Sequence, residues 1–374
     1  MSMEIKVVDT KFLLKQYIFL PEKIYKGDAR WVPPMYGDEW SFHNPKQNKA
    51  LSYCDTIRIM AYQNNVPVGR IMGIIHHPYN KQHNEKTVRF FNLDCIHDQQ
   101  AASALINFVE QWGKQKGMTK IIGPYGFSDK DPQGLQIEGL EHLPVIATPT
   151  NPAYLQSLIE HEKLQKEIDC VSYQMPIQSA IPPVYEKVYA RIRKNQTLHL
   201  IEFSSKSKLK PYILPVFRLV NEAYAHLFGF VPMTQEEMKK FAAQYLPVLD
   251  PEFVKIVVDN QNNMVAFVVA MPDMSKGIKK AKGKLFPFGF IHILNSMKKT
   301  TQLNLLLGAV KPGYQGKGLT VLLGTSLLQT ASKRNMKVMD SHLILENNLL
   351  MRGECERIGG KVYKRFRVYS KMIS

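Results

Sequence analysis

Val310-Lys-Pro-Gly-Tyr-Gln-Gly-Lys-Gly-Leu-Thr320 follows an apolar run, Leu303–Ala309, and precedes a helical stretch that reaches about Lys333. The order is strand, glycine-rich turn, helix start. Backbone N–H groups at a helix N-terminus converge on one point and the helix dipole reinforces them, so such a turn cradles an anion. Gly316 and Gly318 allow close approach and positive φ, while Gln315 and Lys317 add donors and charge. A plain surface loop opening a helix uses the same residues, so the flanking sequence has to decide.

Those flanks carry a resemblance. Gln315, Gly318 and Thr320 are spaced Q-x-x-G-x-T, similar to the Q/R-x-x-G-x-G/A signature of the GNAT superfamily of acyl-CoA-dependent N-acetyltransferases. In that family the loop grips the pyrophosphate of acetyl-CoA. Thr320 departs from the pattern, standing where Gly or Ala is usual. Downstream, the residues predict a strand over Lys337–Leu345, a helix over Asn348–Ile358 ending at Gly359-Gly360, and a closing strand over Lys361–Met372. That order follows the family. The chain also resembles a group of long bacterial GNAT-like proteins of unassigned substrate. Asp28-Ala-Arg-Trp-Val-Pro-Pro34, Asp131-Pro-Gln-Gly134, Asn151-Pro-Ala-Tyr154 and Ile344-Leu-Glu-Asn-Asn348 are among the matching segments.

A chain of 374 residues is too long for one such domain and suggests two. Pro176-Ile-Gln-Ser-Ala-Ile-Pro-Pro183 breaks any regular pattern, which divides the chain into a first domain, 1–178, and a second, 179–374, that carries the glycine turn. The first half has its own α/β rhythm. A hairpin (Thr56–Tyr62, Val66–Ile75) turns at Asn64-Asn65. A strand at Thr87–Leu93, a helix at Asp98–Lys116 and a strand at Lys120–Ile122 follow. In the second half Val184–Lys194, Lys210–Leu227 and Glu236–Val248 read as helices, and Thr234 with Glu237 forms a capping box. A faint repeat links the halves: Asn151, a helix, Lys166 and a strand parallel Asn348, a helix, Lys364 and a strand. Helices opened by Asn are common enough for coincidence to produce the same match. No Q-x-x-G-x-G follows Leu93, so the first copy reads as degenerate. The expected fold class is α/β: tandem GNAT-like domains, each a mixed, mostly antiparallel sheet flanked by helices.

Composition sets outer limits. The 45% hydrophobic and 22% charged content is that of an ordinary globular protein. No run of about 18 apolar residues exists for a membrane-spanning helix. Met1–Lys11 has no apolar core of a signal peptide, and Cys54, Cys95, Cys170 and Cys355 lie far apart with no C-x-x-C. A reduced, cytoplasmic chain is expected. The net charge of +17, from 49 basic and 32 acidic side chains, attracts polyanions such as CoA, nucleic acid or an anionic membrane. Nucleic acid is disfavoured because no recognition motif accompanies the charge, which is spread along the chain. Nothing in the sequence specifies an oligomeric state.

The resemblance implies a chemistry: transfer of an acyl group from acetyl-CoA or another acyl-CoA to an amine, with no metal. It implies that backbone groups of Leu307, Gly308, Ala309 and Val310 bond the pantetheine arm and polarise the thioester carbonyl. Gln315, Gly316, Lys317, Gly318, Leu319 and Thr320 would hold the pyrophosphate, with Asn348 heading the next helix. Many relatives place an acidic Tyr seven residues past that Asn; here the position is Cys355, which also suits a small buried packing residue. Glu346 and His342, with Asp340 behind them, share strand parity and are the candidates for the base. Glu346 equally suits the first turn of the following helix, and His342 a packed histidine. Phe230 and Met233 line either the acceptor pocket or a helix-packing corner. His76, His77 and His83 lack regular ligand spacing with acids and read as solvated loop, not a metal site. With Thr320 and Cys355 off pattern, a non-catalytic CoA-binding protein is the alternative.

Residues 273–302 insert where compact GNAT domains have a short turn. Lys276, Lys279, Lys280, Lys282 and Lys284 precede Leu285-Phe-Pro-Phe-Gly-Phe-Ile-His-Ile-Leu294, and Lys298 and Lys299 close the segment. One reading is a basic loop and a buried helical turn. The other is contact with an anionic membrane, peripheral at its inner face, and a lipid-like amine as acceptor.

Overall fold

A computed structural model describes residues 3–177, 183–194 and 197–373, so the expected break at 178–179 lies outside the described residues. The first half runs β1 (Met3–Val7), α1 (Lys11–Ile24), α2 (Tyr36–Phe42), β2 (Cys54–Gln63), β3 (Val66–His76) and α3 (His77–His83). It continues through β4 (Thr87–Cys95), α4 (Gln99–Gln115), β5 (Lys120–Gly123), β6 (Leu135–Glu138), α5 (Tyr154–His161) and β7 (Gln165–Pro176). The second half has α6 (Pro183–Arg193), β8 (Leu198–Glu202), α7 (Lys206–Leu209), α8 (Ile213–Ala223), α9 (Gln235–Tyr245), β9 (Val254–Asp259) and β10 (Met264–Pro272). Then come α10 (Ser275–Lys280), α11 (Gly289–Lys299), β11 (Gln302–Val310), α12 (Leu319–Lys333), β12 (Val338–Asp340), β13 (Ile344–Leu345), α13 (Leu349–Arg357) and β14 (Lys361–Met372).

Local chemistry explains most boundaries. Asn64 and Asn65 both take positive φ, 50° and 64°, the geometry of a two-residue hairpin turn. Asp98 caps α4 through the N–H groups of Gln100 and Ala101. The capping box of Thr234 and Glu237 starts α9 as expected. Two predicted helices differ. Asn151 does not open one, because its side chain bonds the backbone N–H and C=O of Gln136, and α5 starts at Tyr154. Lys210–Leu227 is divided, with a 3₁₀ turn at Lys210–Tyr212 where Pro211 lacks an N–H.

Among the described residues all fourteen strands join one sheet, ordered β1-β2-β3-β4-β5-β14-β7-β12-β11-β10-β9-β8, with β6 on β14 and β13 on β7. The parallel pairs are β4–β5 and β11–β12. Between them the closing strands cross over. β7, from the first half, pairs β12 of the second; β14, the last strand, pairs β5 of the first. β7 and β14 also pair with each other, Gln165–Gln174 against Ser370–Lys361. These are the two strands of the faint repeat. Helices flank the sheet: α4 packs through Leu105 and Val109 on Ile71 and Phe90, and α8 through Val216 and Val220 on Ile256 and Phe267.

Candidate functional site

β11 and β12 run side by side for three residues, Gln302–Asn304 against Val338–Asp340, and then part. β11 goes on through Val310, held on its other side by β10. Val269 pairs Leu307 and Ala270 pairs Leu305, which leaves Leu306 as the extra residue of a bulge. The chain after Asp340 turns away into Ser341–Leu343. A V-shaped cleft therefore opens, with Leu305–Val310 along one wall and the glycine turn at its end. Leu305, Leu306 and Leu307 are half-buried, Gly308 is exposed and Ala309 packs into the core.

At the turn, Gly313, Gly316 and Gly318 take φ of 83°, 73° and 81°. Gly318 is the N-cap of α12; among the described residues no side chain caps that helix, and no acid lies in its first turn. Gln315, Gly316, Lys317 and Thr320 are exposed, so the larger Thr320 does not crowd the turn; Leu319 anchors it in the core. The Lys317 ammonium lies 4.7 Å from the centre of the Tyr314 ring. The two glycines differ in what surrounds them. A Cβ on Gly318 would lie 2.6 Å from Cδ1 of Ile192 on α6, whereas one on Gly316 would meet nothing within 4 Å.

Sequence reasoning missed Tyr224. Its hydroxyl donates to the Gly308 carbonyl at 2.8 Å and accepts from the Gly308 N–H at 3.4 Å. These are backbone groups of the splayed wall.

The opposite wall is polar. Asp340 is buried; Oδ1 accepts the His342 N–H at 2.6 Å and Oδ2 accepts the Tyr363 hydroxyl. His342 sits at φ 58°, and Ser341 Oγ accepts the Tyr173 N–H at 2.8 Å in place of a ladder bond. The predicted strand Lys337–Leu345 is thus split, β12 stopping at Asp340 and β13 resuming at Ile344. That split removes the shared parity of Asp340, His342 and Glu346. Glu346 instead meets Lys166 at 2.7 Å and accepts the Asp169 N–H at 3.1 Å, both on β7.

His342 Nε2 lies 3.0 Å from the Ile146 carbonyl oxygen, which only accepts. Nε2 therefore carries the hydrogen and Nδ1 the lone pair. Burial holds the imidazole below its usual pKa, so it is neutral near pH 7. Lys364 is 1% exposed, its ammonium donates to the Leu143 carbonyl at 2.6 Å, and burial lowers its pKa. Both lie on the closing strand, where the sequence marks Lys364 as a term of the faint repeat but gives neither residue a place at the site.

The other candidates serve packing or capping. Cys355 is buried beside Tyr173, Met175 and Met339, and burial pushes its thiol up to about 12. Asn348 caps α13 through the Met351 N–H at 3.2 Å. Phe230 and Met233 are buried in clusters that also hold Leu307. His76 corrects the solvated-loop expectation. It is 1% exposed, it caps α3 by accepting the Tyr79 N–H on Nδ1, and burial lowers it to about 4. His77 is exposed beside Asp55, and His83 stacks on Tyr79. Among the described residues, no three His, Cys, Asp or Glu side chains are grouped to hold a metal ion, and no helix is long and apolar enough to cross a membrane. A cavity of about 480 Å³ opens in the first half, beside Tyr25, Arg30 and Tyr154, and not at the cleft.

The first half repeats the splay with different contents. β4 and β5 pair over Thr87–Arg89 and Lys120–Ile122 before parting. The head of α4 is already occupied by the Asp98 carboxylate, at 2.7 Å from the Gln100 nitrogen. Arg89 donates to the carbonyls of Gly126 and Phe127. A fixed carboxylate on those N–H groups opposes a second anion.

The chain resembles Protein YghO of Escherichia coli (strain K12), at 28% identity over 96% of this chain and 93% of that one. It is 24% identical to a protein named bacterial ceramide synthase from Caulobacter vibrioides (strain NA1000 / CB15N), over 98% and 96% of the two chains. Among solved structures, a tandem GNAT protein from the clavulanic acid biosynthesis pathway superposes with a TM-score of 0.55 at 11% identity, covering 100% of this chain and 99% of that one. No family profile matches the chain. The fold is that of tandem GNAT acyltransferases.

Proposed function

We propose that the second half, 179–374, transfers an acyl group from acyl-CoA to an amine. The observation that carries this reading is the cleft where β11 parts from β12 and ends at an uncapped helix N-terminus. Gln315, Gly316, Lys317 and the N–H groups opening α12 hold the pyrophosphate. The pantetheine arm lies along Leu307–Val310 as a false strand, displacing the Tyr224 hydroxyl from Gly308. His342 Nδ1 takes the proton as the amine nitrogen attacks the thioester carbon; the C–S bond then breaks, CoA leaves as the thiolate, and the imidazolium returns the proton to its sulfur. Glu346 and Cys355, tied to β7 and to the core, take no part in these steps. An acyl-cysteine intermediate is not part of the scheme.

The similarity to a protein named bacterial ceramide synthase supports a lipid-like amine as acceptor, because a ceramide is an N-acylated long-chain amino alcohol. The test is thiol release from short- and long-chain acyl-CoA in the presence of a panel of amines, with the N-acyl product identified by mass. His342→Gln is expected to lower kcat by about 10²–10⁴-fold while CoA affinity holds. CoA binding with no turnover on any amine would favour the non-catalytic alternative.

A further inference from the structure

The insertion between β10 and β11 is a packed helical hairpin. Gly277 of α10 lies against α11, where a Cβ would stand 2.6 Å from Ile293 Cα and 2.8 Å from the His292 carbonyl oxygen. Ile278 and Ile293 are buried between the helices with Met271 and Met274. The hairpin is pinned to the first half. The Tyr36 N–H donates to the Gly283 carbonyl at 2.9 Å, and the Lys279 ammonium to that of Ala29. Its outer face therefore has a fixed shape.

That face is apolar at its centre and basic around it. Phe286 is 81% exposed and Phe288 67%; Leu285, Phe290, Ile291 and Leu294 are also exposed. On α11, Phe290, Ile291 and Leu294 share one helical face, and Lys298 extends it by a turn. Lys276, Lys280, Lys282, Lys284, Lys298 and Lys299 are exposed, and none has an ion-pair partner among the described residues. No acidic residue occurs between Met274 and Thr300.

We propose that this face docks on an anionic lipid bilayer. The rings and aliphatic chains enter the headgroup boundary, and the lysines meet anionic headgroups. Charge complementarity selects this occupant: a ring of unpaired lysines around protruding phenylalanines matches anionic lipid, whereas a second copy of the same basic face would repel it. Docking also orients the cleft, a consequence that rests on the acyl-CoA reading above. Ile278 and Ile293 share an apolar cluster with Leu306, the bulge residue, and Ile146, whose carbonyl holds His342. From Leu306 the strand runs on to Val310, roughly 13 Å at ~3.3 Å per residue, before the glycine turn begins. The bulge end of the cleft therefore faces lipid, while the CoA phosphates stay in water.

Vesicle flotation tests it, with phosphatidylcholine vesicles with and without phosphatidylglycerol, at low and high salt. Flotation only with phosphatidylglycerol and only at low salt is expected. Phe286→Ser with Phe288→Ser and Phe290→Ser should weaken it by at least about tenfold while circular dichroism and CoA binding hold. A second variant, Lys280→Glu with Lys282→Glu and Lys284→Glu, should abolish the preference for phosphatidylglycerol. Wild type that stays unbound at low salt overturns the proposal, as does flotation untouched by the phenylalanine changes. A dimer in sedimentation that those changes dissolve would likewise overturn it, by assigning the face to a second copy. Acyl transfer to a detergent-dispersed long-chain amine separates the two readings. Wild type that floats but transfers nothing sinks the acyltransferase and leaves docking standing.

Discussion

Gly316 and Gly318 hold the same backbone hand but do different work. Gly318 faces α6, so Gly318→Ala should cost about 1–2 kcal/mol of stability, from the clash with Ile192 and the positive φ, read by thermal unfolding. Gly316 faces open space and Asp is among the few side chains that adopt its positive φ, so Gly316→Asp should leave the fold in place at a small cost in stability and weaken CoA binding by about tenfold through repulsion of the pyrophosphate. Calorimetric titration that shows unchanged affinity for Gly316→Asp would remove the pyrophosphate from this turn. The turn itself was legible in sequence because its chemistry is local. Tyr224 was not, since it reaches Gly308 from 84 positions away, through packing. His76 shows the same limit. A polar run around it suggested solvent, yet its ring is enclosed and held at about 4 against an ordinary 6.5. The unfolded chain therefore takes up the proton first, so stability is full above pH 6.5, falls between pH 6.5 and about 4, and then levels. The loss is about 3 kcal/mol. His76→Asn keeps a capping acceptor without the titration, so urea midpoints of the two proteins should diverge as pH falls through that window; parallel curves would refute the assignment.

Hydrophobic patterning located most strands and helices, because burial on one face dictates period. It failed where short polar side chains competed with the ladder. Asp340 captures the His342 N–H and Ser341 the Tyr173 N–H, and together they break a strand whose residues alternate well enough to predict one. The cleft's second wall exists because of that break. The insertion was legible in charge and exposure but not in its packing, which turns on Gly277. Gly277→Val should force α11 away from α10 at a cost of about 1–3 kcal/mol, seen as a lower urea midpoint. An unshifted midpoint would mean that the hairpin is looser than its contacts imply.

Two half-chains with a repeat between them suggest two units that fold alone, but the sheet joins them through exchanged strands. β14 fills the gap between β5 and β7, and β7 carries β12 on its other edge. No pattern in the sequence reveals this, because strand period says which face is buried and not which neighbour pairs. The ionic contacts follow the exchange. Asp169 on β7 bonds Arg367 on β14 at 2.8 and 3.0 Å, and Glu167 on β7 accepts from Ser370 on β14 and Lys120 on β5. Removing β14 therefore strips hydrogen-bonding partners from both halves at once. Calorimetry of the full chain should show one cooperative transition, with van't Hoff and calorimetric enthalpies equal. Residues 1–178 produced alone should lack the ordered sheet by near-ultraviolet circular dichroism and recover it on co-expression with 179–374. Two separate transitions, or a first half that is ordered alone, would show that the exchanged strands are incidental to stability.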